Sequence, residues 1–368
     1  MILALCFFCL ACGGNNNSES AVTSPKEFFL KKVDSLRVDR ETDLRILDYH
    51  PAKKQFLAVD KISGEFLLLD SKGGILEEVL RRGEGPNEIN TNVLALSFNQ
   101  EEGGYFAQSS LEQLWFDDAW EVKERIKFAS YSTIYFYSGP QKRVPYYRPT
   151  IDSSFYFFTN FFSGVQNGVG AEIASLIEQY NPHRKELEWV LPFDLEQLPV
   201  FEIDEKNKDK KPTAIYSLNR EVGRLYLTFE RSTEMGVYDI TNDFALIEKS
   251  GFKHKSFYPS YNAKNISLID FGQDIFGLLY YRGISEAAKA SRKESDPGNF
   301  PFMDASLYQF IFINDGVQQS EEIAFPAGSD PRAEILSLPN SRLLLRDKYT
   351  GDVEPDYHTY SIYELKTR

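Results

Sequence analysis

Glu65-Phe-Leu-Leu-Leu-Asp70-Ser-Lys-Gly-Gly-Ile75 reads as an apolar strand that stops in a tight polar turn and resumes as a second strand. An Asp side chain accepts backbone N–H groups inside such a turn, and Gly permits positive φ, so the segment predicts a hairpin. The same grammar returns in Gln113-Leu-Trp-Phe-Asp117-Asp-Ala-Trp120 and in Gly236-Val-Tyr-Asp239-Ile-Thr-Asn-Asp243. Weaker copies are Ile177-Glu-Gln-Tyr-Asn181, Phe310-Ile-Phe-Ile-Asn314-Asp-Gly316 and Tyr360-Ser-Ile-Tyr-Glu364, the last with Glu at the marker position. The markers Asp70, Asp117, Asn181, Asp239, Asn314 and Glu364 are 47, 64, 58, 75 and 50 residues apart. A four-stranded propeller blade takes about 40 to 50 residues, so the longer intervals predict loop insertions.

Two further strands can be read before most markers: 93–98 with 104–108, 213–217 with 224–229, 266–269 with 275–281, and 334–337 with 342–345. Their nearly continuous apolar runs suit strands covered on both faces. After each of the first five markers comes an outer strand, at 76–80, 122–126, 187–191, 245–249 and 321–325. The sixth marker leaves only Leu365 to Arg368, whereas an unpaired strand, 30–37, waits at the other terminus. An open edge would expose backbone donors and acceptors. The expected fold is therefore all-β: a six-bladed β-propeller over residues 26–368, closed by pairing the N-terminal strand with the C-terminal blade. A large two-sheet sandwich is the competing architecture, and it would not require six copies.

The 368 residues contain 41 Lys plus Arg against 54 Asp plus Glu, a net charge of −13. With 42% apolar and 14% aromatic residues the chain has material for a large core and is not a disordered polymer. The acid excess argues against nucleic acid as a partner.

All three cysteines, Cys6, Cys9 and Cys12, lie in the first twelve residues, which excludes disulfides and thiolate metal sites from the body that follows. Residues 1–11 are uncharged and apolar, too short to span a bilayer as a helix, and read as the apolar region of a secretory signal. Cys9-Leu-Ala-Cys12-Gly13 is similar to a bacterial lipoprotein cleavage box, with Cys9 standing where Leu is usual. The expectation is a signal peptide over 1–11, a lipidated Cys12 with a flexible tether over 12–25, and membrane contact through the lipid anchor only. The alternative is a buried apolar N-terminal segment.

Gly83-Glu-Gly-Pro-Asn-Glu88, just after Leu67-Leu-Leu-Asp70-Ser-Lys-Gly-Gly74, resembles the uncharacterised six-bladed β-propeller lipoproteins of Bacteroidetes-type bacteria. That resemblance implies export, an outer-membrane location facing the periplasm or the surface, and a link to nutrient capture. It brings no activity and no catalytic residues. Read by itself, the Gly-x-Gly-Pro core suits a tight turn between blades, with Arg82 and Glu84 free to face a ligand. It lacks the strand-to-helix context of a phosphate loop.

In a propeller the loops after the second and fourth strands of each blade open on one face, around the channel. The insertions 162–175, 193–212 and 283–305 fall there, the last with a short helix over 285–292 and the character of a lid. The second strands end in Asp60, Gln108, Asn160, Arg231, Arg282 and Arg346, with Tyr281 beside Arg282 and Arg148 entering the third blade. Guanidiniums around a channel mouth bind carboxylate, sulfate or phosphate, and tyrosines offer stacking platforms. Arg82, Arg148, Arg231, Tyr281, Arg282 and Arg346 are therefore the candidate ligand-binding residues; the alternative for each arginine is an ion pair with a neighbouring acid.

No catalytic residue, cofactor or metal site is expected. The four histidines, His50, His183, His254 and His358, sit in unrelated segments without metal-ligand spacing, and His183 and His254 read as exposed. No Gly-x-Ser-x-Gly elbow is present, and Asp270-Phe-Gly272 lacks the other elements of a kinase. Carboxylate pairs assembled from distant blades stay open. Three functions follow: a non-catalytic binding module for a glycan, peptide or other anionic ligand on the channel face; a hydrolase or lyase acting on saccharides or lactones; or a scaffold with an envelope protein partner.

Overall fold

The computed structural model is an all-β propeller, and it describes residues 27–127, 142–148, 156–160, 175–181, 186–192, 196–200, 214–257, 262–273, 275–295, 300–314, 317–350 and 356–368. The expectations for the signal and tether, for His183, and for the loops 162–174 and 201–213 lie outside the described residues.

Strand β1 (Phe28–Val38) opens the described chain. A first sheet follows in chain order: β2 (Leu44–His50), β3 (Gln55–Asp60), β4 (Glu65–Leu69) and β5 (Ile75–Leu80). The second contains β6 (Ala95–Phe98), β7 (Tyr105–Gln108), β8 (Glu112–Phe116) and β9 (Val122–Lys127). The third contains β10 (Tyr146–Tyr147), β11 (Tyr156–Asn160), β12 (Ser175–Asn181) and β13 (Glu186–Pro192). The fourth contains β14 (Ala214–Asn219), β15 (Arg224–Phe229), β16 (Glu234–Asp239) and β17 (Ala245–Gly251).

In the fifth sheet, β18 (Lys264–Asp270), β19 (Ile275–Tyr281) and β20 (Tyr308–Asn314) carry an outer strand split into β21 (Val317–Gln318) and β22 (Ile323–Ala324). The sequence predicts the outer strand over 321–325; the pairing there is shorter, and a second piece lies before it. Between the two the Ser320 hydroxyl takes the Phe312 N–H at 2.9 Å, a place in the ladder that a backbone carbonyl would fill. The sixth sheet is β23 (Ile335–Leu338), β24 (Arg342–Arg346) and β25 (His358–Thr367), with β1 as its outer strand. The pairing runs from Phe28 opposite Thr367 to Val38 opposite His358.

Three of the marker residues, Asp70, Asp117 and Asp239, act as the sequence predicts, while the turns after Asn181 and Asn314 lie outside the described residues. Asp70 Oδ1 accepts the N–H groups of Lys72 and Gly74 at 2.7 and 2.9 Å, and these bonds hold its carboxyl below the usual carboxylate range. Gly73 has φ +94°, and a Cβ there would stand 2.0 Å from the Arg37 carbonyl oxygen, so only glycine fits where β1 passes. Asp117 caps Ala119 and Glu121 in the same way, and Asp239 caps Thr241. Glu364 does not close a turn: β25 runs straight through it to meet β1.

First strands lie inside and fourth strands outside. β2 contacts both β6 and β23, and β14 contacts β18, whereas β5 and β17 are largely exposed. Apolar clusters fill the spaces between sheets. Leu57 and Phe66 of the first pack with Phe98, Phe116 and Trp120 of the second. Phe106 of the second joins Tyr146 of the third and Leu227 of the fourth. Ile215 and Tyr226 of the fourth meet Leu278 and Tyr280 of the fifth. Phe310 and Phe312 meet Leu343 and Leu365 of the sixth. Leu36 and Leu344 of the sixth meet Ile46 and Leu67 of the first.

Leu36, only 2% exposed, ties β1 into that last cluster. Leu36→Ala should cost about 2–5 kcal/mol in urea unfolding, the range for emptying a packed leucine site. An unchanged midpoint would show that β1 is not part of the cooperative unit.

Candidate functional site

Each second strand ends where its neighbouring first strand begins; we call this end of the sheets the upper face. A cavity of about 390 Å³ opens there between the first and second sheets, within the size range of small-molecule sites. Val59, Ile89, Val93 and Leu94 give it apolar walls; Lys61, Arg81, Arg82 and Thr91 give it polar ones, together with Asp43 and Asp60, whose carboxylates are paired with Arg346 and Arg40. Gly64, at φ +79°, makes room for Arg82: a Cβ on Gly64 would lie 2.9 Å from Arg82 Cδ. The Arg82 guanidinium makes no hydrogen bond or ion pair among the described residues, and Lys61 Nζ comes no nearer to a carboxylate than 4.0 Å, at Asp43. Thr91 Oγ1 is buried without a hydrogen-bond partner among the described residues. A cation with no partner beside an unsatisfied hydroxyl is what an anion-bearing ligand would complete.

The rest of the Gly-x-Gly-Pro segment holds the cavity open by fastening the first sheet to the second. Glu88 accepts the Gly85 N–H at 2.7 Å, and a Cβ on Gly83 would fall 2.0 Å from the same carboxylate. Arg125 on β9 donates to the Pro86 and Glu88 carbonyls at 2.9 and 2.8 Å while gripping Glu112 at 2.7 Å. Arg81 donates to the Trp120 carbonyl at 3.1 Å, and Asn87 accepts the Val122 N–H at 3.0 Å. Arg82, Glu84 and Pro86 are exposed here.

The other expected site residues are scattered. Arg148 is corrected: it follows β10, a first strand, and so lies at the lower face, where Glu102 and Glu101 hold it at 2.8 and 3.7 Å. Arg346 is at the upper face but is engaged, donating to Asp43 at 3.0 Å and bonding His358 Nδ1 at 2.8 Å. Tyr281 is 8% exposed and packs in the core against Tyr308, 5.3 Å away, so it is not a stacking platform; burial raises its pKa. Arg231 stands half-buried in the turn between β15 and β16. Arg282 is at the upper end of β19 with no side-chain hydrogen bond or ion pair among the described residues. Beyond it α1 (Glu286–Ser295) forms as predicted; it buries no residue and is tied down by an Arg292–Asp304 ion pair.

Two features escape sequence reasoning. Asp60 is wholly buried, capping Ile62 and Ser63 through Oδ1 at 2.9 and 3.1 Å and holding Arg40 and Thr42 through Oδ2. Burial alone would raise its pKa, but these partners lower it. Burial likewise opposes, and fails to prevent, a lowered pKa at Asp43, which faces Arg346, Arg45 and Lys61. His254, read as exposed because lysines flank it, is instead tucked between Phe252, Phe257 and Tyr280, its Nε2 2.8 Å from Asn265. Burial lowers its pKa. Among the described residues no group of three or more His, Cys, Asp or Glu is placed to hold a metal ion.

No family model matches the chain, and no curated protein is significantly similar to it. Solved structures are similar in fold. A crystal structure of a DUF4221 family member from Bacteroides vulgatus has a TM-score of 0.68 at 11% identity, covering 94% of this chain and 100% of its own. PQQ-bound aldose sugar dehydrogenase from Streptomyces coelicolor has a TM-score of 0.49 at 11% identity, covering 93% and 99%. The β-propeller domain of Cps50 (Swd1) from Myceliophteria thermophila has 0.42 at 10% identity, covering 91% and 99%. The first of these shows the propeller fold, and its source accords with the Bacteroidetes-type resemblance of the Gly-x-Gly-Pro segment.

The lowered pKa values of Asp43 and Asp60 fix the sign of an acid response. The unfolded chain takes up these protons first, so their stabilisation is full at neutral pH and is lost as pH falls through the folded-state values, below about 4. Asp60→Asn should lower stability at pH 7 by about 3 kcal/mol, because it leaves Arg40 short of a partner. Urea midpoints should also fall less steeply with acid in that variant. A wild-type slope would show that Asp60 contributes nothing to the acid transition.

Proposed function

We propose that this protein is a non-catalytic binding module of the cell envelope, and that its upper-face cavity takes a ligand with an apolar body and an anionic group. The observation that carries this reading is the guanidinium of Arg82, unpaired among the described residues, on the wall of a cavity of about 390 Å³. Lys61 and Thr91 supply a second charge and a hydroxyl, and Val59, Ile89, Val93 and Leu94 shed water from an apolar body. Glycan acids, acidic peptides and other small exported acids fit this description. Arg282 belongs to the same face and is a second contact for a longer ligand.

We further infer that the six sheets are six blades of a closed ring. The support is the β1–β25 pairing and the five apolar clusters that link each sheet to the next and the sixth back to the first. We propose export and lipid anchoring at Cys12 to the outer membrane, which rest on the Cys-Leu-Ala-Cys-Gly sequence. In that arrangement the tether leaves the lower face, because Phe28 pairs with Thr367 where β25 ends. The cavity on the upper face then points away from the bilayer.

The test is calorimetry of the purified protein against uronic acids, sialic acids and acidic peptides. Arg82→Ala should weaken binding by about 1.5–3 kcal/mol, the worth of a hydrogen bond to a charged group. Its thermal midpoint should stay near that of the wild type, since Arg82 is an exposed residue. Undiminished affinity in the variant would place the ligand elsewhere.

A further inference from the structure

The channel holds a second cavity, of about 90 Å³, at its lower end, and it shares no lining residue with the upper one. Four sheets contribute to it: Arg143 and Tyr146 precede and open the third, Ser217 lies on β14 with Arg220 just beyond, Asp270 ends β18, and Ser337 belongs to β23. Neither arginine is exhausted by its partners. Arg143 spends Nε on the buried Asp48 at 2.5 Å, and its two terminal nitrogens make no hydrogen bond among the described residues. Arg220 lies 4.4 Å over the ring of Tyr146 and forms no ion pair among the described residues. Ser337 Oγ is buried without a hydrogen-bond partner among the described residues. Donors outnumber acceptors in a space that only a compact group can enter.

We propose that this lower cavity binds a carboxylate group, held between the guanidiniums of Arg143 and Arg220 with the Ser337 hydroxyl as a further donor. A carboxylate accepts the paired N–H groups of a guanidinium in a planar fork, and does so twice where two guanidiniums converge. Charge disfavours a dianion. The acids Asp48 and Asp270 already balance the two guanidiniums, so a monoanion adds one uncompensated charge where sulfate would add two. Size limits the occupant to a compact group, because the cavity is far below the range that encloses a drug-sized ligand. It admits a small acid, or the carboxylate end of a larger molecule.

The experiment is thermal unfolding of the purified protein in sodium acetate, with sodium chloride at equal ionic strength as reference, repeated with an amino-blocked tripeptide and with sodium sulfate. Acetate should raise the midpoint saturably in the wild type and in Arg82→Ala, whose cavity is the other one. Arg220→Gln should lose the effect by about tenfold or more in apparent affinity, as expected for removing one of two charged forks. Its midpoint without acetate should fall only slightly, because among the described residues Arg220 forms no ion pair and loses only its contact with the Tyr146 ring. A tripeptide effect at lower concentration than acetate assigns the site to chain ends; the reverse order assigns it to free acids. No saturable response to either, an undiminished response in Arg220→Gln, or tighter binding of sulfate than of acetate would overturn the proposal.

Discussion

The outermost strand of the sixth sheet is the first strand of the described chain. The register joins ten residues of β1 to β25, with one irregularity between Lys32 and Asp34. Without it the sixth sheet would present β25 as an open edge, with Leu36 and Val38 withdrawn from the cluster they share with Leu44 and Ile46. The same strand delivers residues 39–43 to the upper face, where Arg40 reaches Asp60 and Asp43 meets Arg346. The sixth sheet and the upper-face electrostatics therefore depend on one long-range pairing. Such pairings are costly in loop-closure entropy and form only when the rest of the sheet is ready to receive them.

Charge at the two faces follows a common rule. Several arginines near strand ends are satisfied by acids from a neighbouring sheet: Arg346 by Asp43, Arg45 by Glu334 at 2.5 Å, Arg148 by Glu102. These pairs act as inter-sheet staples, and their half-buried setting makes the loss of one partner more costly than the net worth of the pair. Burial also raises the pKa of Glu334 and lowers that of Lys142. Against that background Arg82, Arg220 and Arg282, which form no ion pair among the described residues, stand out, and two of them line cavities.

What was legible in the sequence was local. Asp70, Asp117 and Asp239 announce their turns because the side chain caps a backbone only two to four residues away. Ile275–Tyr281 and Arg224–Phe229 match the predicted strands at both ends because their apolar runs stop at turn residues. What was not legible was set by distant partners. Arg148 reads like any strand-end arginine until the fold brings Glu101 and Glu102 from the second sheet beside it. His254 has lysines on either side in sequence, but its ring faces Tyr280 and Asn265 on the fifth sheet. The upper cavity is lined by β3 with the turn after it and by the connection between β5 and β6, and no spacing rule encodes how closely these approach.

The Gly83–Glu88 segment shows how a structural knot and a site can share one stretch of chain. Its interior is fully occupied: Glu88 needs Gly83 and Gly85 to be bare, and Arg125 needs the Pro86 and Glu88 carbonyls. Those bonds fix the position of the backbone between β5 and β6, and with it the starting point of the Arg82 side chain. Gly64 then removes the one obstacle to that side chain lying along the cavity wall. An unpaired cation on a loose loop would fold back onto the nearest acid of this net-negative chain; one on a clamped loop is held away from it. The rigidity that makes the segment recognisable as a turn is thus the same property that keeps a guanidinium available to a ligand.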